Sequence, residues 1–264
     1  RHIFSNGFSD IKAIATWSYF LKRDNGAHVL FDAPRFVPAV ASSLERACGT
    51  EDGPAFFVLS HRDDIGEHAR WAARFPRMRR VVHEREAAEV PSLRAWEVIL
   101  RGEGPWRLPD GAEDVLLVLT PGHTSGSITL LYEPEQAALV GDHLDGAPPA
   151  NEFGVVPPPA PERQDLHVFR DFCWDSIDRQ LVSVAKLAGR PIRRVLPGHG
   201  SPAFFGSAAD FDAAVERLLA AELEGGAATA EEMLAEAKEA LAREPAAVVP
   251  VAEEQSAAVV ARSR

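Results

Sequence analysis

The sequence predicts a mixed α/β architecture, with two sheets and helices outside them. Three observations carry that expectation. A run of strands followed by helices occurs twice along the chain. Several short apolar segments end abruptly in Gly, Pro, Asp or His, as strands do at the edge of a sheet. The 264 residues, 46% hydrophobic and 25% charged, are enough to bury the core of one large domain.

The elements follow in order. Residues 11–19 (IKAIATWSY) are apolar and rich in β-formers, Asp24-Asn25-Gly26 is a turn signal, and His28 to Phe31 is a second strand. Together they read as a hairpin. Phe36 to Ala47 is a helix with Val37, Val40, Leu44 and Ala47 on one face. Ala55 to Leu59 (AFFVL) is continuously apolar, so it reads as a strand buried on both faces. A helix is expected from Ile65 to Phe75, a short strand at Val81-Val82, and another helix from Glu84. Four more strands follow: Glu97 to Leu100, Asp114 to Thr120, Ser127 to Glu133 and Ala137 to Val140. Six prolines between Pro148 and Pro161 make residues 146–161 a loop, long enough to wall a pocket or act as a lid. Ser176 to Leu187 is a helix and Arg194 to Leu196 a last strand. Phe211, Val215, Leu218 and Leu219 mark a further helix ending at Gly225-Gly226. Thr229-x-x-Glu232 reads as a capping box for the final helix, and the Ala/Val/Glu-rich residues after Pro245 read as a flexible tail.

Composition narrows the function classes. The 39 acidic residues outnumber 28 basic ones, for a formal charge of −11, so no general nucleic-acid binding is expected. No run approaches the ~18 apolar residues of a membrane span. Two cysteines, Cys48 and Cys173, form no disulfide framework and point to a reducing compartment. The chain starts at Arg1 rather than Met, so the expectation is a processed form or a fragment of a longer protein.

Four places share one layout, in which an apolar strand ends and a His or Asp follows. They are Leu59-Ser60-His61, Thr120-Pro121-Gly122-His123, Val140-Gly141-Asp142-His143 and Leu196-Pro197-Gly198-His199. Imidazoles and carboxylates together are the ligand set of zinc, iron or manganese. A metal bound by them lowers the pKa of a bound water toward about 7 and supplies a hydroxide nucleophile. Packing alone is a poor explanation for two separate Pro-Gly-His turns after apolar strands.

The ordered series SHRDD, TPGHTSGS, GDH and LPGHG resembles the metallo-β-lactamase-fold superfamily. Its separations are 62 residues from His61 to His123, 19 to Asp142 and 57 to His199, and the likeness covers roughly residues 11–220. The resemblance implies a four-layer αββα sandwich with a metal site at the edge between the sheets. It also implies a division into residues 1–224 as the catalytic domain and 225–264 as a helical extension and tail. The chemistry implied is mostly hydrolysis of esters, thioesters, lactams or phosphodiesters, with some redox members.

The carry-over is made residue by residue. The family's first motif, His-x-His-x-Asp-His, is represented by His61-Arg62-Asp63-Asp64-Ile65-Gly66. His61 matches outright, Asp63 stands where the second His belongs, and Asp64 matches the motif Asp if one deletion is allowed. The motif's adjacent His is missing, and His68, four residues after Asp64, is a candidate replacement. His123, Asp142 and His199 match the middle His, the bridging Asp and the last His. Asp32 resembles a supporting family Asp. A looser likeness joins SHRDD, His83-Glu84 and the Cys173-Trp174-x-Ser176 segment to an uncharacterised branch found in cyanobacteria and chloroplasts.

The implied ligand sets are His61, Asp63 and His123 for one ion, and Asp64, His199 and His68 for a second, with Asp142 bridging. One or two divalent metals are expected, zinc or iron or manganese, with Asp64 and Asp142 closest to the chemistry and a small molecule as substrate. Simpler readings stand beside these. Asp64-x-x-Glu67 is also a helix-capping pattern, and Asp63 or Asp64 could serve only that purpose. His68 could be a half-buried helix histidine, His143 a neighbour of the site, and His2, His28 and His167 surface or packing residues. Two other functions remain open: an iron-dependent oxidoreductase, to which Asp63 points, and a non-catalytic binding or assembly protein with a decayed site. The compartment expected is the cytoplasm or a chloroplast stroma.

Overall fold

The computed structural model describes residues 2–8, 16–146, 164–224, 226–241 and 245. The chain divides into two compact units, Arg1–Leu117 with Pro245–Arg264, and Val118–Glu244. Among the described residues, two six-stranded sheets and six helices make up the framework.

The first unit holds one sheet in the order β1 (Ile3–Phe8), β2 (Trp17–Leu21), β3 (Val29–Phe31), β4 (Phe56–Val58), β5 (Arg79–His83), β6 (Val98–Leu100). Of the first predicted strand, residues 11–15 lie outside the described residues. The hairpin expected at Asp24-Asn25-Gly26 joins β2 to β3, with Leu21 opposite Val29 and Gly26 at φ 78°. From β3 to β6 the pairing is parallel. Strands in that position are covered on both faces, and Phe56, Phe57 and Val58 are accordingly all buried. Helices α1 (Pro38–Cys48), α2 (His68–Arg74) and α3 (Glu84–Glu89) fill the connections between these parallel strands. Leu44, Phe57, Trp71, Phe75, Met78 and Trp96 are part of one apolar core.

One boundary differs from the sequence expectation. The helix predicted from Ile65 begins only at His68, after a separate 3-10 turn at Arg62–Asp64. Gly66 is the reason. It sits at φ +54°, outside the right-handed region, and a Cβ there would lie 2.8 Å from the Ala33 Cβ.

A buried charge cluster also holds this unit. The Arg23 side chain is fully covered, and its guanidinium donates to Asp110 and Asp114 at 2.5 Å each and to the Ala27 carbonyl at 2.7 Å. Burial pushes the Asp114 carboxyl up, but the bond and the charge of Arg23, with a backbone bond and the Arg107 charge, together outweigh it and leave the group below its usual pKa. A carboxylate depressed in the fold stabilises it above the unfolded pKa, and that stabilisation is lost as pH falls through the folded value. Asp114→Asn is therefore expected to cost about 1–3 kcal/mol at neutral pH, as for a hydrogen bond to a charged group. The gap to wild type should close below about pH 4 in urea titrations. A gap that is constant down to pH 2 would contradict this.

In the second unit the strand order is β14 (Ala203–Phe204), β13 (Arg194–Pro197), β10 (Ala137–Gly141), β9 (Ile128–Tyr132), β8 (Val115–Leu119). The start of β8 also pairs with β7 (Trp106–Arg107), through Leu117 opposite Trp106. Strands β9 and β10 form an antiparallel hairpin, whereas β10 and β13 run parallel. A separate two-stranded ribbon joins β11 (Asp145–Gly146) to β12 (Leu166–His167). Most of the predicted Pro-rich loop, from residue 147, lies outside the described residues, as does the predicted tail from 246.

Helix α4 (Ile177–Ala185) presents Leu181 and Val184 inward, as the stripe predicted, and is capped by the Ser176 hydroxyl. Helices α5 (Ala208–Glu222) and α6 (Ala227–Leu241) follow, and α6 packs on α5 and α4. The capping box expected at Thr229 is not formed. Thr229 lies inside α6, and its hydroxyl donates to the Glu224 carbonyl at 3.0 Å. Among the described residues no helix is long and apolar enough to cross a membrane.

Candidate metal centre

In the first unit the donors lie just past β4. The chain leaves the sheet at Ser60, whose backbone N–H donates to Asp32 Oδ1 at 2.7 Å. Asp32 has a positive φ of 56°, uncommon for a side-chain-bearing residue, and its carboxyl is fully buried. Burial pushes that carboxyl up to about 7, against the pull of His61. The Ser60 hydroxyl lies 2.7 Å from His61 Nδ1, which turns Nε2 toward Asp64 Oδ2 at 3.5 Å. Asp64 Oδ1 accepts from the Thr16 hydroxyl at 2.7 Å. The 3-10 turn between them is held by buried Glu86, which accepts from the Arg62 N–H at 2.8 Å.

The structure thus brings His61 and Asp64 together, both buried. Asp63 is exposed. His68 is half-buried on α2, its ring 5.2 Å from that of Trp96, and burial with the nearby Arg80 charge lowers its pKa. The capping role open to Asp64 goes unfilled. The residue preceding α2 is Glu67, whose carboxylate accepts from the Phe36 N–H at 2.7 Å. Gly66 separates Asp64 from the helix.

The second unit holds the other donors. His123 follows β8 in the Pro121-Gly122-His123 turn, Asp142 follows β10, and His199 follows β13. His199 Nδ1 is 2.9 and 2.8 Å from the two Asp142 oxygens, and His123 Nε2 is 3.8 Å from Asp142 Oδ2. All three are largely buried. The glycines of these turns set the spacing. A Cβ at Gly198 would lie 2.6 Å from Asp142 Oδ1, so only glycine lets the backbone pass the carboxylate at this distance. Neighbouring His143 is fully buried; burial first, then the Lys186 and His123 charges, push its pKa down to about 3, so it is neutral.

The segment leading into α4 clamps the His123 turn. The Trp174 N–H donates to the His123 carbonyl at 2.8 Å, and the Asp175 and Ser176 N–H groups donate to the Gly122 carbonyl at 3.2 and 3.0 Å. The Cys173 thiol adds a bond to the same carbonyl at 3.0 Å, and the Ser183 hydroxyl donates to the Pro121 carbonyl at 2.7 Å. Gln180, wholly buried, donates to the His143 carbonyl at 2.6 Å and the Asp142 carbonyl at 3.4 Å. One helix therefore holds both the His123 and the Asp142 turns. No motif marks Gln180 and Ser183, although two polar residues beside Leu181 and Val184 on a buried face signal buried hydrogen bonds. Thr16 and Glu86 gave no such signal.

The donor set fits a divalent cation. Two imidazoles and a carboxylate converge, buried and in a glycine-lined cradle, which suits zinc, iron or manganese.

Comparisons with known proteins bear on architecture. No protein-family model matches the chain, and no curated protein matches it. Solved structures do. The B3 metallo-β-lactamase BLEG-1 aligns over 78% of this chain and 95% of its own, with a TM-score of 0.53 and 20% identity. TMB-1, from a study of substrate and inhibitor binding, aligns over 81% and 93%, with 0.58 and 13%. The DIM-1 metallo-β-lactamase aligns over 82% and 94%, with 0.55 and 14%. At these identities the likeness is one of fold, and the chain is a protein of the metallo-β-lactamase fold.

Proposed function

We propose that the chain is a metal-dependent hydrolase of small esters, thioesters, lactams or phosphoesters. The observation that carries this reading is the buried Asp142 carboxylate, set between His199 at 2.8 Å and His123 at 3.8 Å. Two imidazoles and one carboxylate, nitrogen and oxygen donors held together in a buried place, are a donor set that a divalent cation satisfies. In this reading His123, Asp142 and His199 of the second unit are the donors that hold the ion. When bound, the cation supplies a Lewis acid and makes a water acidic near neutral pH.

The chain's own groups set the donors' orientations. Ser60 fixes the His61 ring and Thr16 the Asp64 carboxylate, as partners behind metal ligands do. Gln180 and the N–H groups before α4 hold the other two turns. The iron-dependent redox alternative drew on Asp63 as a donor, and the exposed position of Asp63 weakens that support.

The test is hydrolysis by protein stripped of metal and reloaded with zinc, iron or manganese. The probes are p-nitrophenyl acetate, bis-p-nitrophenyl phosphate and a chromogenic cephalosporin. Metal-dependent release of at least one chromophore is expected. Stoichiometric metal binding with no turnover of any probe would favour the non-catalytic reading.

A further inference from the structure

We propose that His167, oriented by Asp145, is the general acid that protonates the leaving group. This role rests on the hydrolase reading above. Strands β11 and β12 place Asp145 directly opposite His167. His167 Nδ1 lies 3.0 Å from Asp145 Oδ1; the carboxylate side chain is 3% exposed and the imidazole 43%. A carboxylate on Nδ1 fixes the ring's tautomer and orientation and leaves Nε2 as the working nitrogen. The Phe169 ring packs edge-on to the imidazole at 5.1 Å, and Nε2 makes no hydrogen bond among the described residues.

Asp145, which carries the pair, stands beside the donors of its own unit, close enough to feel the Asp142 charge. Asp145 is three residues past Asp142, and Gly200, the next residue after His199, lies against it. A Cβ at Gly200 would fall 2.0 Å from Asp145 Oδ2, and Gly200 sits at φ +80°, so glycine makes room for this carboxylate. The Ser201 N–H also bonds Asp145, and the Gly146 N–H returns a bond to the Ser201 carbonyl at 2.7 Å. Other charges near His167 are already engaged: Asp165 accepts from Arg217 of α5 at 2.8 Å.

A purely structural role explains the pair poorly. A half-exposed ion pair contributes about 0–1 kcal/mol. Burial meanwhile opposes ionisation of Asp145, pushing its carboxyl up to about 6 although His167 pulls it down. An unfavourable burial with so small a return is the pattern of functional groups.

The step balances. The oxygen of the attacking water forms its bond to the carbonyl carbon or phosphorus. The bond to the leaving oxygen breaks, and its electron pair stays on that oxygen, which takes the proton from His167 Nε2. The imidazole is left neutral with its Nδ1–H on Asp145. The proton lost by the attacking water goes to solvent, and solvent reprotonates Nε2.

The experiment compares metal-loaded wild type, His167→Ala and His167→Gln on phenyl and p-nitrophenyl esters of the same acid, acetic or phosphoric. Phenolate is the poorer leaving group and needs the proton more. General acids contribute about 10²- to 10⁴-fold. Both variants should keep wild-type metal content, while the ratio of phenyl to p-nitrophenyl rates falls at least about tenfold. Asp145→Asn should lower the same ratio in the same direction. Equal losses on the two esters, or loss of metal from His167→Ala, would overturn the acid role alone. A metal-loaded wild type that cleaves neither ester would overturn the hydrolase reading for esters, and this role with it.

Discussion

Asp142→Asn should lower divalent-metal affinity by more than about 100-fold, the upper end of what loss of a partner behind a ligand costs. Asn keeps the shape of Asp, so the Gly198 backbone still fits beside it. What changes is the charge. His199 Nδ1 and His123 Nε2 both face the Asp142 oxygens, at 2.8 and 3.8 Å. Replacing one oxygen by an amide removes a ligand and introduces two N–H donors into a buried place where a cation should sit. Hydrolysis should fall to background in the same variant, because in the proposed reading the metal supplies the Lewis acid. Competition with a chromophoric chelator measures the affinity. An affinity within about tenfold of wild type would place Asp142 outside the ligand set.

Gly122→Ala should be among the most destabilising single-methyl changes in the chain, by about 3 kcal/mol or more. Gly122 sits at φ +145°, and a Cβ there would fall 2.3 Å from the Cα of Gln180 and 2.5 Å from its backbone nitrogen. The obstacle is helix backbone, not a side chain that can swing away. Helix α4 cannot retreat without breaking the bonds from Cys173, Asp175, Ser176 and Ser183 to the Pro121-Gly122 carbonyls. Gly26→Ala is the control, since Gly26 has φ +78° and nothing within 4 Å of a Cβ. It should lose only the backbone strain of about 1 kcal/mol. Unfolding free energies from urea titration that differ by less than about 1 kcal/mol between the two variants would show that α4 adapts, and the clamp on the His123 turn would then be loose.

Much of this arrangement was legible in the sequence, for physical reasons. The strands β4, β8, β9 and β10 are fully buried, so their apolar runs stand out against turn residues. Pro-Gly and Gly-Asp turns then mark where each strand stops, and a side chain at such a stop sits on the sheet edge. That is why His61, His123, Asp142 and His199 could be picked out together. What sits behind them was not legible. Thr16 reaches Asp64 from 48 residues away, and Gln180 reaches His143 from 37. A hydroxyl such as that of Thr16 has no local pattern to betray it, and the buried face of α4 signals that Gln180 is bonded but not to which turn. The Asp145–His167 pair escaped for the same reason, since a two-residue ribbon across 22 positions carries almost no periodicity. Local propensity also misled in two places. Asp64-x-x-Glu67 and Thr229-x-x-Glu232 both spell capping boxes. The first fails because Gly66 turns left-handed, and the second because α6 starts at Ala227.

The central claim is that this chain holds a divalent metal through His123, Asp142 and His199. Elemental analysis of protein purified without chelator tests it most directly, with His123→Ala prepared in parallel. One or two equivalents of zinc, iron or manganese per wild-type chain, and a clear loss from His123→Ala with the fold intact by circular dichroism, is the expected result. Equal metal in the two proteins, or none in the wild type, would contradict it.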